Sequence, residues 1–131
     1  MNLQILHNQV ISLDLQKLDK KSEKKDRLFN LAYANEYDQH EHNRFAVVFE
    51  VEILHPDDFH LKCKYVSWFK TSEVIDEQFK TSDFPKINAP AIAFPFLRGF
   101  ISILTLNSGY LPAMLPSINF SNFGLAKKND K

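Results

Sequence analysis

His40-Glu41-His42 is the cluster in this chain best spaced to do chemistry, because histidines at i and i+2 of an extended segment point to the same side and can meet one metal ion. A catalytic zinc site needs a third protein ligand, and the spacing supplies none. Asp38 and Asn43 nearby give the stretch the composition of a hairpin loop instead, so we expect no metal site. Cys63 alternates with Leu61 and Tyr65, which marks it as a small buried hydrophobe and not a nucleophile. His7, His55 and His60 are isolated and read as surface or turn residues. The chain has no Gly-x-Ser-x-Gly, no phosphate loop and no paired carboxylates singled out by spacing. We expect no enzyme and no cofactor.

Composition narrows the classes further. The 131 residues carry 16 basic and 16 acidic side chains, so no net field calls for nucleic acid or an anionic membrane. That length is one domain, 1–131, large enough for a modest core and small enough to gain from oligomerisation. A single cysteine excludes an internal disulfide, and the start of the sequence lacks the pattern of a signal peptide. Both features lead us to expect a reducing, cytoplasmic compartment.

The elements that must position any site follow from periodicity. Leu3 and Ile5, then Ile11, Leu13 and Leu15, alternate with polar residues as a half-buried strand does, with a break near His7-Asn8-Gln9. Lys17 to Arg27 is a run of mixed charge with nothing to bury, expected as a solvated crossover loop. From Leu28, three more alternating runs put Phe29, Leu31 and Tyr33, then Phe45 to Ile53, then Phe59 to Tyr65 on one face. His55-Pro56-Asp57-Asp58 separates the last two, with Pro56 suited to the second position of a type I turn. The spacing predicts a four-stranded antiparallel sheet whose Glu50 and Glu52 sit cross-strand from Lys62 and Lys64. Trp68 falls on the face of those lysines and Val66, as either an exposed binding aromatic or an edge residue covered by a loop.

Thr71 to Phe84 is polar and should hold a short helix or turn. Beyond it, prolines shape an apolar stretch. A proline inside a helix costs about 3 kcal/mol and almost nothing at the first position, so the main helix is expected to start at Pro95. It should end near Asn107, with Gly109 at the left-handed cap. Arg98, Ser102 and Thr105 form a narrow polar stripe, while Phe96, Leu97, Phe100, Ile101, Ile103, Leu104 and Leu106 cover the rest of its surface. One sheet covers one side of such a helix, so the other side needs a second subunit. A membrane span is disfavoured, since Arg98 near its middle would cost about 2.5–3.5 kcal/mol.

Asn88-Ala89-Pro90-Ala91-Ile92-Ala93-Phe94-Pro95-Phe96-Leu97-Arg98, then Ser108-Gly109-Tyr110-Leu111-Pro112, then Pro116-Ser117-Ile118-Asn119-Phe120 stand in this order along the chain. That order resembles the SecB family of protein-export chaperones. It implies an α+β fold, a four-stranded antiparallel sheet with a long C-terminal helix packed on one face. It also implies a homotetramer built as a dimer of dimers, holding unfolded polypeptides in apolar grooves without ATP. Mapped onto this chain, the groove positions are Phe29, Leu31 and Tyr33 on the second strand and Tyr110, Leu111 and Phe120 after the helix, with Phe123 an addition. Ordinary core packing is the alternative reading for each. The subunit interface would use Phe96, Arg98, Phe100, Ile101 and Leu104, with Arg98 in a structural salt bridge there in preference to a client contact. The chain departs from the family at the acidic surface that docks the motor protein SecA. One acid falls on Asp14, but others fall on Val10 and Lys64, and a charge reversal there repels. The family's extended tail is also missing. That combination suits a solitary SecB-like chaperone serving another partner, such as an aggregation-prone antitoxin.

Overall fold

The computed structural model describes residues 1–18, 27–55 and 58–122. Strands β1 (Leu3–Lys17), β2 (Leu28–Tyr37), β3 (Arg44–His55) and β4 (Phe59–Thr71) form one antiparallel sheet in the order β1-β4-β3-β2. A short helix α1 (Glu77–Lys80), a π-helical turn (Phe84–Asn88) and the long helix α2 (Ala89–Asn107) follow. The expected crossover between β1 and β2 falls largely on 19–26, and Pro56 on 56–57, both outside the described residues. The Asp58 N–H donates to the His55 carbonyl at 3.0 Å.

Alternation dictates the layers. Phe45, Val47, Phe49, Val51 and Ile53 of β3 pair with Phe69, Ser67, Tyr65, Cys63 and Leu61 of β4, and all ten point to the face that α2 covers. On the opposite face Glu50 lies across from Lys64 and Glu52 from Lys62, as the spacing predicts. The Glu52 carboxylate also meets His60 Nε2 at 2.6 Å, so His60 is not the isolated residue expected from sequence. The break near His7 is real but takes the form of two bulges, where the pairing with β4 skips Leu6 and Ile11. Each bulge shifts the alternation by one residue. Leu3 and Ile5, then Val10, then Leu13 and Leu15 therefore all reach the helix side.

Asp38 shapes the β2–β3 hairpin by accepting the backbone N–H groups of His40 and Glu41 at 2.8 and 3.1 Å, which holds its carboxyl below the usual range. His40-Glu41-His42 is thus part of that hairpin loop. No cluster of three His, Cys, Asp or Glu exists among the described residues. Asp76 caps α1 by accepting the Phe79 N–H at 2.8 Å, and Phe79 stacks on Phe84 and meets Phe45 edge to face.

Helix α2 begins at Ala89, six residues before the position expected from its prolines. Pro90 takes the first-turn role, and Pro95 lies inside the helix. The cost of an internal proline is met because Ala93, Phe94, Leu97 and Ile101 on either side of it are buried on the sheet. The C-terminus follows expectation. Gly109 takes φ 97°, the Tyr110 N–H donates to the Thr105 carbonyl at 3.0 Å and the Gly109 N–H to Leu106 at 3.2 Å, which is a Schellman closure.

Candidate functional site

The helix side of the sheet carries exposed apolar surface, and the pattern of α2 shows how it is divided. Ala93, Leu97, Ile101 and Thr105 repeat every fourth residue and are fully buried. Ile101 therefore belongs to the core of the subunit itself, which corrects its expected place at a subunit interface. Thr105 likewise leaves the polar stripe. Its hydroxyl donates to the Ile101 carbonyl at 2.9 Å and accepts the Ala113 N–H at 2.8 Å, tying the segment after the helix to the helix. Phe100 and Leu104 are half-buried, Phe100 stacked on Tyr65 at 5.6 Å.

On the outward side Ile92, Phe96, Ile103 and Leu106 are exposed, with Gly99 between them. Their spacing of four, three, four and three is that of a coiled-coil seam. A methyl group at Gly99 would meet nothing within 4 Å, so the middle of the seam is open. Val10 and Leu13 of β1 add to the exposed apolar surface on this layer. Of the expected interface residues, Phe96 alone stands on the seam.

The C-terminal segment returns along the other flank of α2 toward β2. Leu115 is buried, and Phe120 inserts among Tyr33, Phe94 and Phe49 at ring distances of 5.4, 5.7 and 6.4 Å. Leu31 is buried beside them, while Phe29 and Tyr33 are half-buried. The Tyr33 hydroxyl donates to the Lys86 carbonyl at 2.6 Å and Asn35 Nδ2 to the Pro85 carbonyl at 2.9 Å, so β2 anchors the π turn that launches α2. Burial raises the Tyr33 phenol above its ordinary value. Tyr110 packs on Phe59 at 4.8 Å. Leu111 is 86% exposed and Met114 is 67% exposed, a pair of apolar side chains offered to solvent at the head of this segment. Sequence reasoning missed Met114, whose only signal was its place in an apolar run without strand or helix period.

The structure thus brings Phe29, Leu31, Tyr33 and Phe120 together around the β2 end of the segment and leaves Tyr110 and Leu111 at the end of α2. Phe123 lies outside the described residues. Trp68 stands apart, on the far face of the sheet, packed with Ala46, Val48 and Val66 beneath the Arg44 guanidinium at 5.5 Å. Arg98 does not join the outward seam either. Its Nε is buried, without a hydrogen-bond partner among the described residues, beside Phe94, Ser117 and Ile118. Cys63 is buried and its thiol is pushed up to about 11 by desolvation, which keeps it protonated and unreactive.

Four antiparallel strands in this order, backed by a C-terminal helix with a second apolar side, define an α+β domain of the SecB type. The chain belongs to the SecB family: residues 4–130 match the family described as preprotein translocase subunit SecB. A protein of Methanocaldococcus jannaschii with no characterised role is 33% identical over 113 residues, covering 83% of this chain and 72% of that one. The protein-export protein SecB of Rickettsia akari is 34% identical over 62 residues, which is 47% of this chain and 40% of the export protein. Among solved structures, the SecB-like chaperone of Mycobacterium tuberculosis in complex with an antitoxin peptide aligns with a TM-score of 0.66. The identity there is 15%, and the alignment covers 88% of this chain and 87% of that one. At that identity the likeness concerns the fold. The family resemblance and the fold class read from the sequence are both borne out.

Proposed function

We propose that this chain is a holdase chaperone that works without ATP, binding unfolded or aggregation-prone polypeptides along its apolar surface as a cytoplasmic homotetramer. The observation that carries the reading is the apolar surface a single SecB-family subunit leaves uncovered, on the α2 seam and again at Leu111 and Met114. An unfolded client exposes apolar segments. Removing them from water is worth roughly 25 cal/mol per Å², and a client held in this way can neither fold nor aggregate. No catalytic residue is needed for that task. The seam, with its heptad spacing and open glycine, suits a second copy. The Leu111–Met114 stretch and the half-buried aromatics near Tyr33 suit a client. The segment Phe84–Asn107 is long and apolar enough to cross a membrane, but it spends one side on the core of this domain.

A second reading, a chaperone dedicated to one partner and uncoupled from SecA, is favoured by the far face of the sheet. Asp14 lies opposite Lys62 there, and Lys64 lies between Ser12 and Glu50, while Val10 pairs with Tyr65 on the helix side. That face presents alternating charge where export docking wants acids. The antitoxin peptide held by the mycobacterial neighbour gives an example of such a partner.

Light scattering coupled to size exclusion tests both, on the protein alone and mixed with a chemically unfolded, slow-folding protein. A tetramer that captures the unfolded chain is the expected result. A tetramer that ignores it would move the function to a dedicated partner, and a monomer would overturn the assembly and the holdase reading together.

A further inference from the structure

On the far face of the sheet two basic side chains stand side by side without an acid. Arg44 of β3 lies directly opposite Lys70 of β4, and on its other side Lys70 faces the neutral Gln4 of β1. The other lysines of β4 are matched, Lys62 by Asp14 and Glu52 and Lys64 by Glu50. Like charges directly opposite each other are destabilising, so an acidic occupant would restore stability that Arg44 and Lys70 cost the sheet. Neither forms an ion pair with a described residue. The Asp38 carboxyl is held low chiefly by the His40 and Glu41 N–H groups it accepts and in smaller part by the Arg44 charge, yet it lies beyond ion-pair distance. The guanidinium is held from below instead. It lies over the Trp68 ring at 5.5 Å, and its Nε is buried with no acceptor among the described residues. An arginine placed on an aromatic face keeps the edge of its planar fork for a carboxylate, and a side chain already fixed loses little freedom on binding.

We infer that Arg44 and Lys70 form a docking clamp for an acidic segment of a partner protein, with one carboxylate on the Arg44 fork above Trp68 and a second on the Lys70 ammonium. Cross-strand neighbours stand about 5 Å apart and acids at i and i+2 of an extended segment about 6–7 Å, so two acids one residue apart span the pair. A short acidic segment fits better than nucleic acid, because Glu36, Glu50 and Glu52 share the face and would repel a longer run of phosphates. A second copy whose acids filled the clamp would have to cover this face, whereas the apolar surface that suits a copy lies on the helix side, on α2 and β1. The inference does not rest on the holdase reading, since the clamp and the apolar surface offered to clients lie on opposite sides of the sheet.

Trp68 is the single tryptophan of the chain, so its fluorescence reports on the clamp directly. The test titrates the protein with three peptides of Gly and Ser that carry Glu-Ser-Glu, Gln-Ser-Gln or Lys-Ser-Lys at the centre and no apolar side chain by which a chaperone would hold them. The Glu peptide is expected to change the Trp68 emission with a midpoint about tenfold below that of the Gln peptide, the scale of a charge-assisted hydrogen bond, and added salt should raise it. The Lys peptide should leave the emission unchanged. Arg44→Gln and Lys70→Gln should each move the Glu midpoint toward that of the Gln peptide, and Arg44→Lys should keep part of the difference. Lys64→Gln, at a position already facing Glu50, should leave the midpoint where it is. Equal midpoints for the Glu and Gln peptides overturn the inference and leave the holdase reading standing. A Glu midpoint that neither Arg44→Gln nor Lys70→Gln moves overturns it too, as does a short oligothymidine that saturates the Trp68 signal at a lower concentration than the Glu peptide. A fall in oligomer mass for Lys70→Gln without peptide would place the pair between copies and overturn the docking role.

Discussion

Leu31 and Leu111 were read from sequence as members of one set, and their exposures of 6% and 86% separate them. Leu31→Ala should cost about 2–5 kcal/mol of stability through the cavity it leaves, seen as a lower urea midpoint. Leu111→Ser should leave that midpoint within about 0.5 kcal/mol of its native value and weaken capture of an unfolded client, read by light scattering. Thr105 is the residue whose role no pattern foretold. It sits in a polar stripe on the helical wheel, yet its hydroxyl is the one that holds the Ala113 N–H. Thr105→Val keeps the shape and removes that acceptor, so it should destabilise the protein by about 1–3 kcal/mol and speed amide exchange at Ala113 and its neighbours. Arg98 was placed at a subunit contact because a lone guanidinium needs a partner. The need was legible in the sequence, whereas the flank on which it would be met was not.

At the scale of elements, α2 decides how the molecule presents itself. An apolar residue at nearly every position announces a helix covered on more than one side, but it does not say which residues face which neighbour. The rotation of α2 about its axis is set by the sheet, where Phe94 meets Phe49 at 6.2 Å and Phe100 stacks on Tyr65. Ile103→Glu should therefore give a folded protein of lower mass, while Ile101→Glu should fail to fold, since it buries a charge in the core. Circular dichroism and light scattering separate these outcomes, and an unchanged mass for Ile103→Glu would count against the seam. Gly99 sharpens the same point. Gly99→Ala should stabilise the helix by about 0.5–1 kcal/mol in a dissociated subunit, whereas Gly99→Leu should block assembly by filling the open middle of the seam. The bulges of β1 are an element-scale feature that the sequence showed only as a break in alternation, because a skipped residue and a broken strand interrupt the period in the same way.

At the scale of the whole molecule, Cys63 reports on global unfolding. It is buried between β1 and β3, and its folded thiol is raised from 9.0 to about 11 by desolvation. A raised value favours the neutral form in the folded state, so its contribution to stability is full below pH 9 and is lost as pH climbs toward 11. Desolvation shifts the phenols of Tyr33, Tyr37 and Tyr65 in the same direction. The alkaline loss of stability should accordingly be shallower in Cys63→Ala than in the unaltered chain, as measured by urea midpoints across pH 8 to about 11. Near pH 8 the thiol should react with a disulfide reagent only as fast as the domain opens.

What the sequence determined by itself was local and periodic. The alternation of β2, β3 and β4, the cross-strand pairing of Glu50 and Glu52 with Lys64 and Lys62, and the glycine closure of α2 follow from φ, ψ and side-chain direction within a few residues. The motif from Asn88 to Arg98 and the Asn119-Phe120 pair carried the family for the same reason, since they are contiguous. Tertiary structure alone decided the rest. It set the start of α2 at Ala89, because burial on a sheet distant in sequence outweighed an internal proline. It turned Phe120 inward and left Leu111 outward. Each of these depends on which distant surface arrives to remove a side chain from water, and an apolar residue is the same letter whether its partner is its own sheet, a second copy or a client.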